Sequence, residues 1–166
     1  KNIAAINQIK IYVSLDSLFS LKNFNINEVI MENANFELNN KNFNFFIKLL
    51  NNNFLDTNLK IINSNIFFRN LENEVLFINK IKNLKYYYDQ KKLKNVLFSE
   101  NEIFNTPFSL EAINNSDEKK LFTKLNLNFA NLQIENIFNY DDGIKSGSST
   151  LLFNKKKRIL NYKTNK

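Results

Sequence analysis

Pairs of acidic residues are the side chains in this sequence that could support acid-base or cation chemistry. The 166 residues include no cysteine and no histidine, which removes thiolate nucleophiles, imidazole bases and most zinc or copper ligands. Glu100 and Glu102 would share one face of a strand. Asp141-Asp142-Gly143 resembles a fragment of a calcium loop that lacks its other ligands. Since neither pair has a partner motif, solvated surface and a plain turn are favoured, and the sequence predicts no enzyme, no metal site and no cofactor.

A tyrosine triplet at residues 86–88 is the best candidate for a nucleic-acid site, because proteins bind single-stranded nucleic acid by stacking its bases on aromatic side chains beside basic residues. The flanking basic residues are Lys82, Lys85, Lys91 and Lys92. Alternation along a strand places Tyr86 and Tyr88 on one apolar face and Tyr87 on the other. A half-buried strand is therefore favoured, and no nucleic acid is expected as a partner.

The formal net charge of +7 also raises nucleic acid or an anionic membrane surface as partners. Lysines are spread along the chain, and the one dense basic cluster is Lys155, Lys156, Lys157 and Arg158. A tight turn between strands is favoured over a binding patch there, because hairpin ends commonly carry lysine.

Length and composition suit one domain with a core, or a slice of a larger repetitive protein. Hydrophobic residues make up 43% of the chain, enough to bury a core. The sequence contains no apolar run of about twenty residues, no signal-peptide pattern and no initiator methionine. Residues 1–166 are therefore expected to be a single segment of a longer protein. Part of the Asn and Lys content is interpreted as coding drift rather than design.

Period-two alternation dominates the chain and predicts strands with one buried face. It is clear in residues 9–15, 59–68, 84–88, 108–112 and 125–129. In residues 24–38 the alternation changes phase twice, which either two short strands or one bulged strand would explain. The prediction is a mainly β protein, built as a long curved antiparallel meander sheet of repeating β-groove type.

One short amphipathic helix is predicted near residues 42–51, where Phe43, Phe46, Ile47 and Leu50 recur at spacings of three and four. A further turn of helix is expected within the connector 17–21. Polar tips are predicted at residues 39–42, 89–92, 114–120, 141–149 and 155–158. Pro107 indicates a strand start or an edge.

The apolar stripe admits two interpretations, namely the core of a closed sandwich or the lining of an open groove. Burying such a face gains about 25 cal/mol per Å² whichever surface covers it. The missing second layer favours the groove, because a large exposed apolar face normally marks an interaction site.

Five stretches of the chain, at residues 9–21, 24–38, 42–50, 59–70 and 105–110, resemble the AsmA-like family of bacterial envelope proteins, relatives of the large TamB-type bridge proteins. Residues 9–21 (IKIYVSLDSLFSL) and 24–38 (FNINEVIMENANFEL) look like the family's strand, short connector and following strand. NFNF at 42–45, before Leu49-Leu50, looks like its short helix. LKIINSNIFFRN at 59–70 looks like a strand motif that usually has Gly where Ser64 stands, and NTPFSL at 105–110 looks like a later strand.

The resemblance spans most of residues 9–112 and implies a non-enzymatic, periplasmic segment with an inner-membrane anchor elsewhere in the parent protein. It further implies a hydrophobic groove that binds or conducts phospholipid acyl chains and contributes to outer-membrane lipid homeostasis or assembly. The expected partners are phospholipid, the membrane and other envelope proteins. The residues expected to line the groove are Ile9, Ile11, Val13, Leu15, Phe24, Ile26, Ile62, Ile66, Phe68, Tyr86, Phe108, Leu110, Leu125, Leu127 and Phe129.

Two other functions stay open at this point. One is a structural or adhesin-like β-module with a dry core and no lipid. The other is a basic nucleic-acid binder, for which salt-dependent retention of oligonucleotides would be the assay.

Overall fold

The computed structural model describes residues 3–15, 25–45, 57–115, 117–141 and 144–165, which form a single sheet of ten strands. The strands are β1 (Ala4–Val13), β2 (Ile26–Leu38), β3 (Asn58–Arg69), β4 (Val75–Asp89), β5 (Lys94–Ile103), β6 (Thr106–Asn115), β7 (Lys120–Leu127), β8 (Leu132–Asp141), β9 (Ile144–Phe153) and β10 (Lys156–Asn165), and a 3-10 helix covers Asn128–Ala130. Each strand is bonded to its neighbours in the chain, and β10 does not return to β1, so the sheet is not closed. The prediction of a mainly β meander with a short helix is confirmed.

One pair of neighbouring strands departs from the predicted antiparallel meander. β2 and β3 are parallel, with Val29 beside Leu59 and Phe36 beside Ile66. A parallel neighbour requires the chain to return to the same end of the sheet, which takes a connection of a dozen or more residues. Residues 39–57 provide that connection, so the strictly antiparallel prediction is wrong at this one place.

The start of the predicted helix lies inside this connection. The Asn39 side chain accepts hydrogen bonds from the backbone N–H groups of Lys41 (2.9 Å) and Asn42 (3.1 Å). The Asn42 side chain in turn accepts one from the Asn39 N–H at 2.9 Å. These bonds order the polar turn, and helical backbone follows over residues 43–45. Phe46, Ile47 and Leu50 lie outside the described residues, as do residues 17–21.

A bulge in β4 explains why its alternation changes phase. Ile81 pairs with Asn101, whereas Asn83 pairs with Glu100, so Lys82 and Asn83 stand together opposite one residue of β5. An extra residue of this kind moves every later side chain to the other face. β4 is therefore one long strand whose two halves differ in phase.

At the level of the β4 bulge, β2 and β3 are irregular as well. Asn33 and Asn63 lie side by side in left-handed backbone conformation, with φ of 54° and 49°. Directly after them, the Ser64 hydroxyl accepts a hydrogen bond from the Ala34 N–H at 3.0 Å and donates one to the Ile62 carbonyl at 2.9 Å. The backbone pairing of β2 with β3 is interrupted at this point, and the serine hydroxyl takes the place of the missing backbone acceptor for the Ala34 N–H. One bulged strand, rather than two short ones, accounts for the phase changes of residues 24–38.

The strand register assigns side chains to two faces, because paired residues point to the same side of a sheet. One face carries Ala34, Ser64, Ile81 and Ser99, which are 0%, 1%, 2% and 2% exposed. We call it the inner face. The opposite side is the outer face. It carries five ion pairs between neighbouring strands, namely Lys10–Glu32, Lys60–Glu28, Arg69–Glu37, Lys80–Glu102 and Lys124–Glu135.

Several predicted turns are confirmed. Asp89 begins the tip at 89–92, where its carboxylate accepts hydrogen bonds from the N–H groups of Lys91 (3.0 Å) and Lys92 (3.1 Å). Pro107 is the second residue of β6, as expected for a strand start. The loop at 114–120 is shorter than predicted, because β6 continues to Asn115 and β7 already begins at Lys120.

Two predicted turns are too long. Residues 146–149 lie within β9, and residues 156–158 lie within β10. The β9–β10 turn consists of Asn154 and Lys155 alone, both with positive φ of 46° and 64°. Two-residue turns of this kind match the twist of the flanking strands, so no longer loop is needed. Gly147 serves close packing instead of turning, since a Cβ there would lie 2.5 Å from the Tyr162 hydroxyl.

Asparagine has a structural role at many of these irregular positions. Ten described non-glycine residues have positive φ, and six of them are asparagine, at positions 33, 63, 73, 105, 131 and 154. Asparagine tolerates the left-handed region better than most residues. These six asparagines therefore have a structural role, and the interpretation as drift applied to only part of the Asn content.

Candidate apolar binding face

One row of paired residues crosses all ten strands on the inner face. In chain order it consists of Ile9, Met31, Ile61, Leu84, Ser99, Leu110, Leu125, Ile134, Leu151 and Arg158. Only its serine and its arginine are not apolar. With neighbouring strands about 4.8 Å apart, the row is about 43 Å long along the sheet. That is more than twice the ~15 Å that one lipid leaflet contributes to a bilayer core.

The inner face is buried in its middle and open toward both edges. Tyr86, on β4, is 3% exposed. On β1, Ile11 is 58% exposed, and on the last two strands Leu151, Phe153 and Leu160 are 40%, 48% and 66% exposed. The described residues form one sheet with no second layer. The apolar surface that another molecule could reach therefore lies at the flanks, chiefly on β8–β10.

The surroundings of Tyr86 show how apolar the middle of the face is. Its neighbours across the strands are Leu59 and Leu97. Burial raises the pKa of Tyr86 to about 12, because the phenolate would lose its hydration there. At one end of the face, the rings of Phe68 and Phe77 stack with their centroids 4.3 Å apart.

A short polar chain interrupts the apolar middle. The Asn79 side-chain amide donates a hydrogen bond to the Asn101 side-chain oxygen at 3.3 Å. The Asn101 amide donates in turn to the Ser99 hydroxyl at 2.7 Å. All three side chains are at most 9% exposed. These residues were not predicted from the sequence, although Ser99 and Asn101 alternate in phase with Leu97.

Nine of the fifteen predicted groove residues lie together on the inner face. They are Ile9, Ile11, Ile66, Phe68, Tyr86, Phe108, Leu110, Leu125 and Leu127. Val13 and Ile26 pair with each other beyond a register shift at the end of β1. Phe24 lies outside the described residues.

Three predicted groove residues are wrongly placed. Ile62 lies on the outer face with Lys60, because the left-handed Asn63 separates their phase from that of Ile66. Leu15 lies beyond the end of β1 and is 76% exposed. Phe129 belongs to the 3-10 helix rather than to a strand and is 66% exposed.

The acidic and tyrosine candidates adopt the predicted orientations. Glu100 and Glu102 share the outer face, and the Glu102 carboxylate lies 2.7 Å from the Lys80 ammonium. The hydrogen bond from Lys80 lowers the pKa of Glu102 below its usual value. In the triplet 86–88 only the middle residue faces outward, at 37% exposure. Asp142 and Gly143 lie outside the described residues.

A small cavity of about 310 Å³ opens at the start of β3. Its lining mixes apolar and charged side chains, namely Glu28, Asn58, Leu59, Lys60, Lys85, Tyr86 and Tyr87. Because the Lys60–Glu28 ion pair is part of that lining, the cavity is a poorer surface for an acyl chain than the inner face of β8–β10.

In the part of the chain that the structure describes, no three His, Cys, Asp or Glu side chains converge as metal ligands. No helix within the described ranges has the length and apolar character needed to cross a membrane. Neither protein-family models nor curated protein sequences match this chain.

Proposed function

We propose that this chain is a non-enzymatic segment that binds the acyl chains of phospholipids along the inner face of its sheet. The observation that carries the proposal is the apolar patch at one end of the inner face of β8 and β9, where Leu132 and Ile134 pair with Phe153 and Leu151. The next inner-face pair, Asn136 and Ser149, is polar and hydrogen-bonded, so the patch ends there. Each methylene that an acyl chain buries there gains about 0.8 kcal/mol. Contact over a few strands is thus enough for binding without any reaction.

The resemblance of residues 9–112 to AsmA-like proteins supports a wider proposal. In it the segment belongs to a periplasmic protein anchored to the inner membrane, and it contributes to phospholipid movement toward the outer membrane. The sheet suits such a role, since neighbouring strands extend one apolar face sideways without a closing layer among the described residues.

The test compares two matched substitutions on neighbouring strands. Leu151 is on the inner face and 40% exposed, whereas Ile137 is on the outer face and 46% exposed. Leu151→Glu and Ile137→Glu therefore place the same charge at similar exposure on opposite faces. The purified chain is incubated with phosphatidylcholine vesicles and separated from them, and bound lipid is measured by native mass spectrometry.

Wild type and Ile137→Glu are expected to retain lipid, and Leu151→Glu to retain at least about tenfold less, because burying a leucine contributes about 1.5–3 kcal/mol. Urea unfolding of both variants serves as the folding control. Equal lipid retention by the two variants, or no lipid on the wild-type chain, would contradict the proposal.

A structural β-module is the second candidate, and the buried centre of the inner face favours it. Ala34 and Ile81 are 0% and 2% exposed, which is typical of a dry protein core. A module of this kind would bind neither lipid nor a hydrophobic dye. The measurement on Leu151→Glu therefore separates the two candidates.

A further inference from the structure

Two cations lie on the inner face, at the edge of the sheet. Lys156 pairs with Phe153 and Arg158 pairs with Leu151, so both basic side chains share the face of the apolar row. Lys157, between them, points to the outer face. The turn at residues 154–155 decides this, because a two-residue loop fixes the register in which β10 returns along β9.

These are the only charged residues on the inner face, counted over strand residues whose side chains the structure describes. Several described cations on the outer face have Glu partners, as in Lys60–Glu28 and Lys124–Glu135. Lys156 and Arg158 form no ion pair with any described residue, and both are exposed. The inner face thus offers two uncompensated positive charges and no described carboxylate.

The two cations are spaced to share one anionic group. Alternate residues of a strand lie about 7 Å apart, within reach of one phosphate for two long side chains. Lys156 lies beside Phe153 and Arg158 lies beside Leu151. These two apolar side chains are 48% and 40% exposed. The arrangement matches an amphiphile, with an apolar body on β8 and β9 and an anionic head at β10. An arginine fork binds phosphate oxygens in pairs.

We propose that Lys156 and Arg158 bind the headgroup phosphate of an anionic phospholipid whose acyl chains lie on the inner face. This rests on the proposed function and adds a preference to it, because two cations favour a headgroup with net negative charge over phosphatidylcholine, whose choline cation offsets the charge of the same phosphate. A soluble phosphate compound lacks the apolar body and binds far more weakly.

The experiment uses the full chain and vesicles of equal parts phosphatidylglycerol and phosphatidylcholine. After separation from the vesicles, native mass spectrometry gives the ratio of the two bound lipids. The test variant is Lys156→Gln with Arg158→Gln. The control is Lys157→Gln with Lys163→Gln, which removes the same charge from the outer face of the same strand.

Wild type and control are expected to enrich phosphatidylglycerol about tenfold, the ratio that corresponds to about 1.4 kcal/mol. The test variant is expected to lose the enrichment while its total bound lipid stays unchanged. The enrichment should also fall in high salt, because these charges are exposed. Glycerol 3-phosphate alone is expected not to displace the bound lipid.

Three results would overturn the inference and leave acyl binding in place. They are equal binding of the two lipids by wild type, the same loss in the control variant, and displacement of the lipid by glycerol 3-phosphate. Absence of both lipids from the wild-type chain would overturn the proposed function together with this inference.

Discussion

Replacing Ser64 by alanine tests whether its hydroxyl stabilises the sheet at the place where the alternation of β2 and β3 is interrupted. The Ser64 hydroxyl accepts the Ala34 N–H at 3.0 Å, and Ala34 is 0% exposed. Water therefore cannot take the place of the hydroxyl without a rearrangement. Leaving a buried donor unsatisfied costs about 1–3 kcal/mol. The Ile62 carbonyl loses its bond to the hydroxyl as well, which places Ser64→Ala in the upper part of that range.

Urea unfolding followed by tyrosine fluorescence or far-ultraviolet circular dichroism measures this loss, since the chain contains tyrosine and no tryptophan. With m of about 1–3 kcal/mol per molar urea, the midpoint is expected to fall by about 1 M. Hydrogen exchange adds a local measurement. The Ala34 amide should exchange about tenfold faster for each 1.4 kcal/mol lost.

Ser148→Ala is the matched control, because Ser148 is a half-buried strand serine whose side chain makes no hydrogen bond with described residues. Its expected effect is under about 0.5 kcal/mol. The reasoning is refuted if the two variants lose the same stability, or if Ser64→Ala leaves both the midpoint and the Ala34 exchange rate unchanged.

Three further predictions concern packing and pH. Gly147→Ala is expected to cost about 1–3 kcal/mol in urea unfolding, because its Cβ would clash with the Ile137 carbonyl oxygen and lie 2.5 Å from the Tyr162 hydroxyl. Tyr162→Ala removes only the second of these contacts, so in that background the cost should fall in part. Burial raises the pKa of Tyr86 to about 12, so its stabilising effect is complete below about pH 10 and is lost as the pH rises toward that value. Tyr86→Phe should therefore reduce the loss of stability between about pH 9 and about pH 11. The pKa of Glu102 is lowered by Lys80, so its contribution is lost as the pH falls through that pKa; an NMR titration should show the pKa rising in Lys80→Gln.

Alternation of apolar and polar residues was enough to predict the class of fold and much of the candidate site. Where a strand is regular, every second residue reaches the same face, as Phe108 and Leu110 do. The tip at residues 89–92 was also readable, because aspartate forms local bonds to nearby backbone amides. The helix start followed from the polar run before Phe43 in the same way.

Irregular positions limited the prediction, because a single residue changes the face of all that follow. Ile62 and Ile66 have the same parity in the sequence, but Asn63 adopts a left-handed conformation between them and separates their faces. The parallel pairing of β2 and β3 was equally out of reach. Whether two strands pair in parallel depends on the path of the segment that connects them, and the sequences of the strands themselves do not indicate that path.

By itself, the sequence determined that the chain forms many strands, that one side of most strands is apolar, and that cysteine and histidine chemistry is absent. Only the tertiary structure decided which half-strands share a face and that Lys156 and Arg158 belong to the apolar one. The physical reason is that alternation is a local property of the backbone. The face of a side chain depends on the whole register, and hydrogen bonds between neighbouring strands determine that register.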